Sequence, residues 1–205
     1  MSTGSPTTTP ATPVLKLSSL LERHPGDPGV SLLHLFGPCA PMRLTAADGE
    51  TARRVTVRWT PRDRRRNEQT RPFIIDWTNC PQIWGHAAAS RTDLASPNTV
   101  TEFAAIAVMG LLIHELETAV VEEVLPIGSG GDYNVRVGRK SFQVEASGVK
   151  ADTTGHETAK RILQKSRQVL KRQKQAFAFV TTFEYKAIGV YSQLLFVPNA
   201  ATRRR

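Results

Sequence analysis

The stretch that most restricts this chain runs from Asp132 to Ser147. Tyr133, Val135 and Val137 alternate with Asp132, Asn134 and Arg136. Beyond Gly138-Arg139, Phe142, Val144 and Ala146 alternate with Ser141, Gln143, Glu145 and Ser147. A period of two means strand, because successive side chains leave opposite faces. A two-residue turn at Gly138-Arg139, with glycine supplying the unusual backbone angle, pairs Val137 with Lys140, Val135 with Phe142, Tyr133 with Val144 and Asp132 with Glu145. A three-residue turn would set Asp132 against Ala146 and mix polar with apolar faces, so the side-chain pattern selects the first register. Asp132 and Glu145 then stand opposite each other, with β-carbons about 4.5–5.5 Å apart. Two carboxylates so placed repel, which gives a structural pairing no advantage. A hard divalent cation such as Mg²⁺ needs clustered oxygens and would neutralise both.

Residues 98–125 read as the strongest helix. Thr99-Val-Thr-Glu102 makes a capping box directly before a periodic apolar run. At 100° per residue, Phe103, Ile106, Ile113, Leu116, Val120, Val121 and Val124 share one face, and Glu117 falls inside it. A carboxylate there must be paired, protonated or bound to metal, since burying an unpaired charge costs roughly several kcal/mol. If this helix packs on the hairpin, Glu117 supplies a third carboxylate. His114-Glu115-Leu116-Glu117 starts like a zinc-protease helix, but Thr118 stands where the second histidine is required, which excludes that class.

Around these elements the chain falls into three parts: a disordered tail (1–13), a helical and hairpin extension (14–97) and a core (98–205). The tail is nearly all Thr, Ser, Pro, Gly and Ala, too poor in apolar surface to offset ordering. In the extension, Asp27-Pro28 opens a short helix. Strands at 54–59 and 73–77 form a hairpin around a basic loop. In the core, 157–175 is a basic amphipathic helix, and 176–183 and 188–197 are strands.

Charge narrows the partners. Lys+Arg number 27 against 18 Asp+Glu, a net charge of +9, which suits nucleic acid, DNA ahead of RNA, and not a membrane. Phosphate contacts are expected from Arg62, Arg64, Arg65 and Arg66 on the loop and from Lys165, Arg167, Lys171 and Arg172 on the helix. No run approaches the length of a bilayer span, no secretory leader opens the chain, and Cys39 and Cys80 form no disulfide framework; a cytoplasmic setting is expected. Cys39, Cys80, His34 and His86 match no metal-binding spacing. Gly128-Ser129-Gly130-Gly131 lacks the Lys-Ser/Thr of a phosphate loop. Trp59, Trp77 and Trp84 read as a small core in the first half.

Taken together, the helix with Glu117, the hairpin strand opened by Asp132, the next strand with Glu145-Ala146-Ser147, the following helix and two further strands resemble the PD-(D/E)XK nuclease superfamily. The resemblance covers residues 98–197. It implies an α/β fold, a restriction-endonuclease-like mixed sheet flanked by helices, here with an N-terminal α+β extension. It further implies Mg²⁺ or Mn²⁺ held by Glu117, Asp132, Glu145 and the Ala146 carbonyl, and hydrolysis of phosphodiester bonds in restriction, defence or repair. Gly131 replaces the proline that often precedes the motif aspartate. Ser147 stands where the family has lysine, so Lys150 or Lys160 would have to supply that charge. The alternative is a catalytically inactive member that binds nucleic acid or scaffolds a complex, with homodimer and subunit of a larger assembly both left open.

Overall fold

In a computed structural model of the chain, residues 11–63, 67–78, 80, 96–125, 132–170 and 175–198 are described. Eight strands build one mixed sheet: β1 (Val14–Lys16), β2 (Ala52–Thr60), β3 (Gln69–Asp76), β4 (Val120–Val124), β5 (Tyr133–Val137), β6 (Lys140–Asp152), β7 (Ala176–Tyr185) and β8 (Gly189–Val197). Their spatial order is β1-β3-β2-β8-β7-β6-β5-β4. Helices flank this sheet, as the α/β expectation requires. The hairpin of the extension does not sit beside the sheet but extends it: β2 runs antiparallel to β3 and parallel to β8, with Val55 opposite Val190. Pro13 already takes part, its carbonyl accepting from the Ile74 amide at 2.9 Å, while residues 1–10 lie outside the described residues.

One face of the sheet carries α1 (Leu20–Arg23), α2 (Asp27–Val30), which continues into a wider π-type turn, α3 (Cys39–Leu44) and the long α4 (Pro97–Glu117). The other carries α5 (His156–Leu170). β7 shows why both faces are covered. Phe177, Phe179 and Phe183 enter the core on the α4 side, and Ala176, Ala178 and Val180 pack with Ile162 and Val169 of α5. A strand apolar on both sides needs a layer on each.

The helix expected at 98–125 ends at Glu117. Thr118 turns left-handed with φ 51°, and Val120–Val124 becomes strand β4, with Val121 opposite Val135. Three β-branched valines fitted the helical period, but their pairing with the free edge of β5 decides their state. The cap is also shifted: Ser96 Oγ accepts from the Thr99 amide at 3.3 Å, and Pro97 takes the first helical position. Glu102 is thereby released from capping. With 21 residues and a mean hydropathy of 1.5 in its most apolar window, α4 is long and apolar enough to cross a bilayer, which corrects the expectation that no run is. Most of that window, 61%, is buried inside the fold, where α4 serves as the central core helix.

Two contacts fix α4. Gly148 on β6 lies against the backbone of Thr101, so close that an added Cβ would stand 2.7 Å from the Thr101 carbonyl carbon. At the other side, fully buried His24 bridges two elements: its Nε2 donates to the Gly110 carbonyl at 2.9 Å, and its Nδ1 accepts from the Val121 amide at 3.0 Å. Because an amide can only donate, Nδ1 carries no proton and the ring is neutral. Burial chiefly holds this imidazole down, to a pKa of about 4.

Candidate functional site

The site exists because β5 is shorter than β6. The two strands pair in the register read from the sequence, Val137 with Lys140, Val135 with Phe142 and Tyr133 with Val144, around Gly138 at φ 60°. Beyond Val144, β6 continues to Asp152 with β7 as its ladder partner. Amide and carbonyl of Ala146 and of Gly148 therefore face a side that β5 has left open.

Side chains fill that side. The Asp132 amide donates to the carbonyl of Val144, the residue already opposite Tyr133, at 2.9 Å, and Asp132 Oδ2 accepts from the Ala146 amide at 2.8 Å. One step along, Glu102 Oε2 accepts from the Gly148 amide at 2.8 Å and Oε1 from Ser147 Oγ at 3.0 Å. Glu145 comes from the α5 face of the same strand. Lys165 Nζ, on α5, donates to Glu145 Oε2 at 3.0 Å and lies 3.8 Å from Asp132 Oδ2. The exposures are unequal: side chains are 8% accessible for Glu145, 16% for Lys165 and 41% for Asp132. The pair is thus mostly dry on the Glu145 side and open to solvent at Asp132. Tyr133 registers the local field. Burial first, then the negative charges of Asp132 and Glu102, push its hydroxyl well above the usual phenol range.

The sequence-derived candidates divide on this geometry. Asp132, Glu145 and the Ala146 backbone come together. Glu117 does not join them: it ends α4, where one carboxylate oxygen accepts from the Arg62 amide at 3.2 Å. Fifteen residues separate it from Glu102, about 22 Å along the helix axis. Lys150 is exposed on β6. Lys160, its side chain 78% accessible, lies 3.9 Å from Glu157. The lysine beside the carboxylates is Lys165, which the sequence reading had assigned to backbone phosphates. Arg167 lies on the opposite flank of α5, at an apolar cleft of about 290 Å³ lined also by Leu163, Leu170 and Leu195. Arg62 is half-buried, its guanidinium 5.6 Å from the Phe142 ring centre. Arg64, Arg65, Arg66, Lys171 and Arg172, together with His86, Trp84 and residues 128–131, lie outside the described residues.

Glu102 is the residue that sequence reasoning missed. Its position three residues after Thr99 satisfied a capping box, and that explanation concealed it. The usable signal was Ser96-Pro97, an N-cap and first-turn proline that make a box at Thr99 redundant.

Below the acids, α5 is anchored by Asp152, which is buried. It accepts from the amides of Thr154, Gly155 and Thr158 and from the hydroxyls of Thr154 and Thr158, at 2.7–3.3 Å. Burial opposes its ionisation, but the Thr158, Gly155 and Thr154 donors outweigh that and hold the carboxyl well below its usual range. The helix that delivers Lys165 is therefore held at its start by a fixed charge.

Among the described residues no three Asp, Glu, His or Cys side chains converge as a ready metal cage. What converges is two carboxylates, the backbone amide of Ala146 and an ammonium. Mg²⁺ fits such a donor set by chemistry, since it takes hard oxygens and commonly binds through one or two carboxylates while keeping several waters. Compared with protein-family models, curated proteins and solved structures, the chain shows no match.

Proposed function

We propose that this protein is a metal-dependent nuclease of the restriction-endonuclease-like type, hydrolysing phosphodiester bonds in DNA. The observation that carries the reading is Lys165 Nζ set beside two carboxylates, 3.0 Å from Glu145 Oε2 and 3.8 Å from Asp132 Oδ2. The order α4, β4, β5, β6, α5, β7 supports it, because it resembles the core of that superfamily. So does the net charge of +9, which favours a polyanionic substrate. A cytoplasmic setting belongs to the same proposal.

Asp132, Glu145 and the Ala146 carbonyl would hold Mg²⁺ or Mn²⁺. When bound, the ion supplies Lewis acidity toward the scissile phosphate and lowers the pKa of an attacking water. The chain's own groups do the rest. Asp132 fixes the Ala146 backbone through its 2.8 Å bond, which orients the carbonyl. Glu102 fixes the next two residues of β6 in the same manner. Lys165 provides the positive charge that Ser147 cannot, offsetting negative charge that grows on the phosphate oxygens. Its place on the helix answers the departure at Ser147 without Lys150 or Lys160.

The test is cleavage of supercoiled plasmid DNA by the purified protein with Mg²⁺ or Mn²⁺. Asp132→Asn and Glu145→Gln are each expected to reduce the rate at least about a hundredfold. Cleavage that survives both substitutions refutes the assignment. One observation favours the silent alternative: Lys165 already lies within ion-pair distance of both acids and offsets one of their two charges, and no third acid joins them among the described residues. Salt-sensitive DNA binding with no product in any metal would identify that case.

A further inference from the structure

Lys165 and the apolar cleft establish which way each flank of α5 faces. The buried stripe of the helix is Thr158, Ile162, Ser166 and Val169. Leu163, Arg167 and Leu170 lie to one side of it, over β8. Lys165 lies to the other, over the acids of β5 and β6. At 100° per residue, Arg161 and Gln168 fall about 40° and about 60° beyond Lys165 on that same acid-facing flank. Arg161, Lys165 and Gln168 thus make a row one helical turn per step, with Arg161 about 6 Å before Lys165 along the axis.

The row is incompletely satisfied. Arg161 Nε and Gln168 Oε1 are both shielded from solvent and have no hydrogen-bond partner among the described residues. The guanidinium's ion pair is loose: Nη2 stands 3.6 Å from Glu157 Oε1, with the Glu157 side chain 44% accessible. A desolvated arginine donor without an acceptor is costly, and the cost is removed by an acceptor that arrives with a ligand. The planar fork of guanidinium suits two oxygens of one phosphate, which lysine at this position would not match.

Resting on the nuclease reading of the adjoining acids, we infer that Arg161 is a positioning residue that grips the phosphate next to the one held at Lys165. The substrate it implies is the interior of a polynucleotide strand laid along the flank of α5. A mononucleotide or a lone terminal phosphate would engage Lys165 and leave Arg161 empty.

Binding of a fluorescein-labelled DNA duplex about two turns long, measured with the full-length protein over a salt series, tests this. Arg161→Gln is expected to weaken binding about tenfold and to lower the slope of log affinity against log salt by about 0.9, the value of one lost phosphate contact. Arg161→Lys should restore the slope, because the charge remains, while recovering only part of the affinity. Lys16→Gln, an equal loss of charge at the far edge strand β1, should leave the slope unchanged. A methylphosphonate at the phosphate beside the scissile one should weaken wild-type binding and leave Arg161→Gln unaffected. If Arg161→Gln keeps the wild-type slope, or if the methylphosphonate penalty survives in it, the grip is overturned; Asp132-dependent cleavage would still uphold the nuclease. If the slope falls as expected but no metal supports cleavage, the grip stands and the nuclease reading falls. A wild-type protein that binds no duplex overturns both.

Discussion

Acid titration of the fold tests the account of His24. The ring is 0% accessible and sits between two backbone groups that demand opposite roles of its nitrogens. A second proton would turn Nδ1 into a donor aimed at the Val121 amide, itself a donor, and would charge a ring from which water is excluded. Burial leads in lowering the pKa from 6.5 to about 4, with His114 and Arg23 adding repulsion. The sign follows. Above pH 6.5 both folded and unfolded chains carry a neutral ring and the full stability is present. Between 6.5 and about 4 the unfolded chain binds the proton and the folded one does not, so stability falls as pH falls. Below about 4 both are protonated and this loss stops growing. A shift of about 2.5 units at about 1.36 kcal/mol each amounts to about 3 kcal/mol. Carboxylates titrate in the same range, so the quantity to read is the difference between wild type and His24→Gln, whose amide offers a donor and an acceptor without titrating. Urea unfolding at pH 7, 5.5 and 4 should show the advantage of wild type over the variant shrinking by about 3 kcal/mol. A difference that stays flat across that range would refute the reasoning.

Three further outcomes are expected. Lys165→Ala removes the ammonium that donates to Glu145 at 3.0 Å; the metal-free protein should lose about 1.5–3 kcal/mol, the usual cost of a hydrogen bond to a charged group, and added Mg²⁺ should raise its melting temperature more than it raises that of wild type. Lys165→Arg should keep most of the stability in the same scan. Gly148→Ala pushes a Cβ into the Thr101 backbone, so α4 must move off β6 at a cost of about 1–3 kcal/mol, read as a lower denaturation midpoint. Asp152→Ala removes five donated hydrogen bonds at the start of α5 and should cost about 1–2 kcal/mol as a lost cap. Because the Asp152 carboxyl is held well below its usual range, its contribution is fully present above that range, shrinks as pH falls below it and is gone only at the folded carboxyl's own depressed value; a variant whose deficit does not shrink at all below the usual carboxyl range would contradict the capping role.

How much of this was readable in the sequence depends on how local each determinant is. The β5–β6 register from Val137–Lys140 to Tyr133–Val144 followed from alternation and one turn, both local; the direct pairing of Asp132 with Glu145 is not in the ladder, where the Asp132 amide donates to the Val144 carbonyl instead. The amphipathic face of α5 followed from its period, with Ile162, Ser166 and Val169 buried as the spacing requires. The end of α4 did not. Val120, Val121 and Val124 satisfy the helical period as well as the strand period, and only the vacant edge of β5, a tertiary fact, separates the two. Glu117 was misplaced for the same reason, since a helix running on to residue 125 would have carried its polar break toward the hairpin. The identity of the nearby lysine was equally out of reach. Lys160 and Lys165 are both on the basic helix, and the choice rests on where the buried stripe meets β6, which no single element specifies.

The arrangement at the β6 edge gives these acids a structural role that is compatible with the proposed catalytic one. An open strand edge exposes donors that invite another strand. Here Asp132 and Glu102 close two of them, at Ala146 and Gly148, so the carboxylates are stabilised by amides even before any cation arrives. That use consumes one oxygen of Asp132 in the recorded contacts and leaves its side chain 41% accessible. Glu145, facing the α5 layer, accepts from Lys165. On the proposed nuclease reading, Asp132 and Glu145 would hold the cation, and Lys165 would be available to a substrate phosphate. The strand edge would remain closed throughout, because the amide bonds to Asp132 and Glu102 need not break. The scaffold therefore holds the acids in place through its own amides and Lys165.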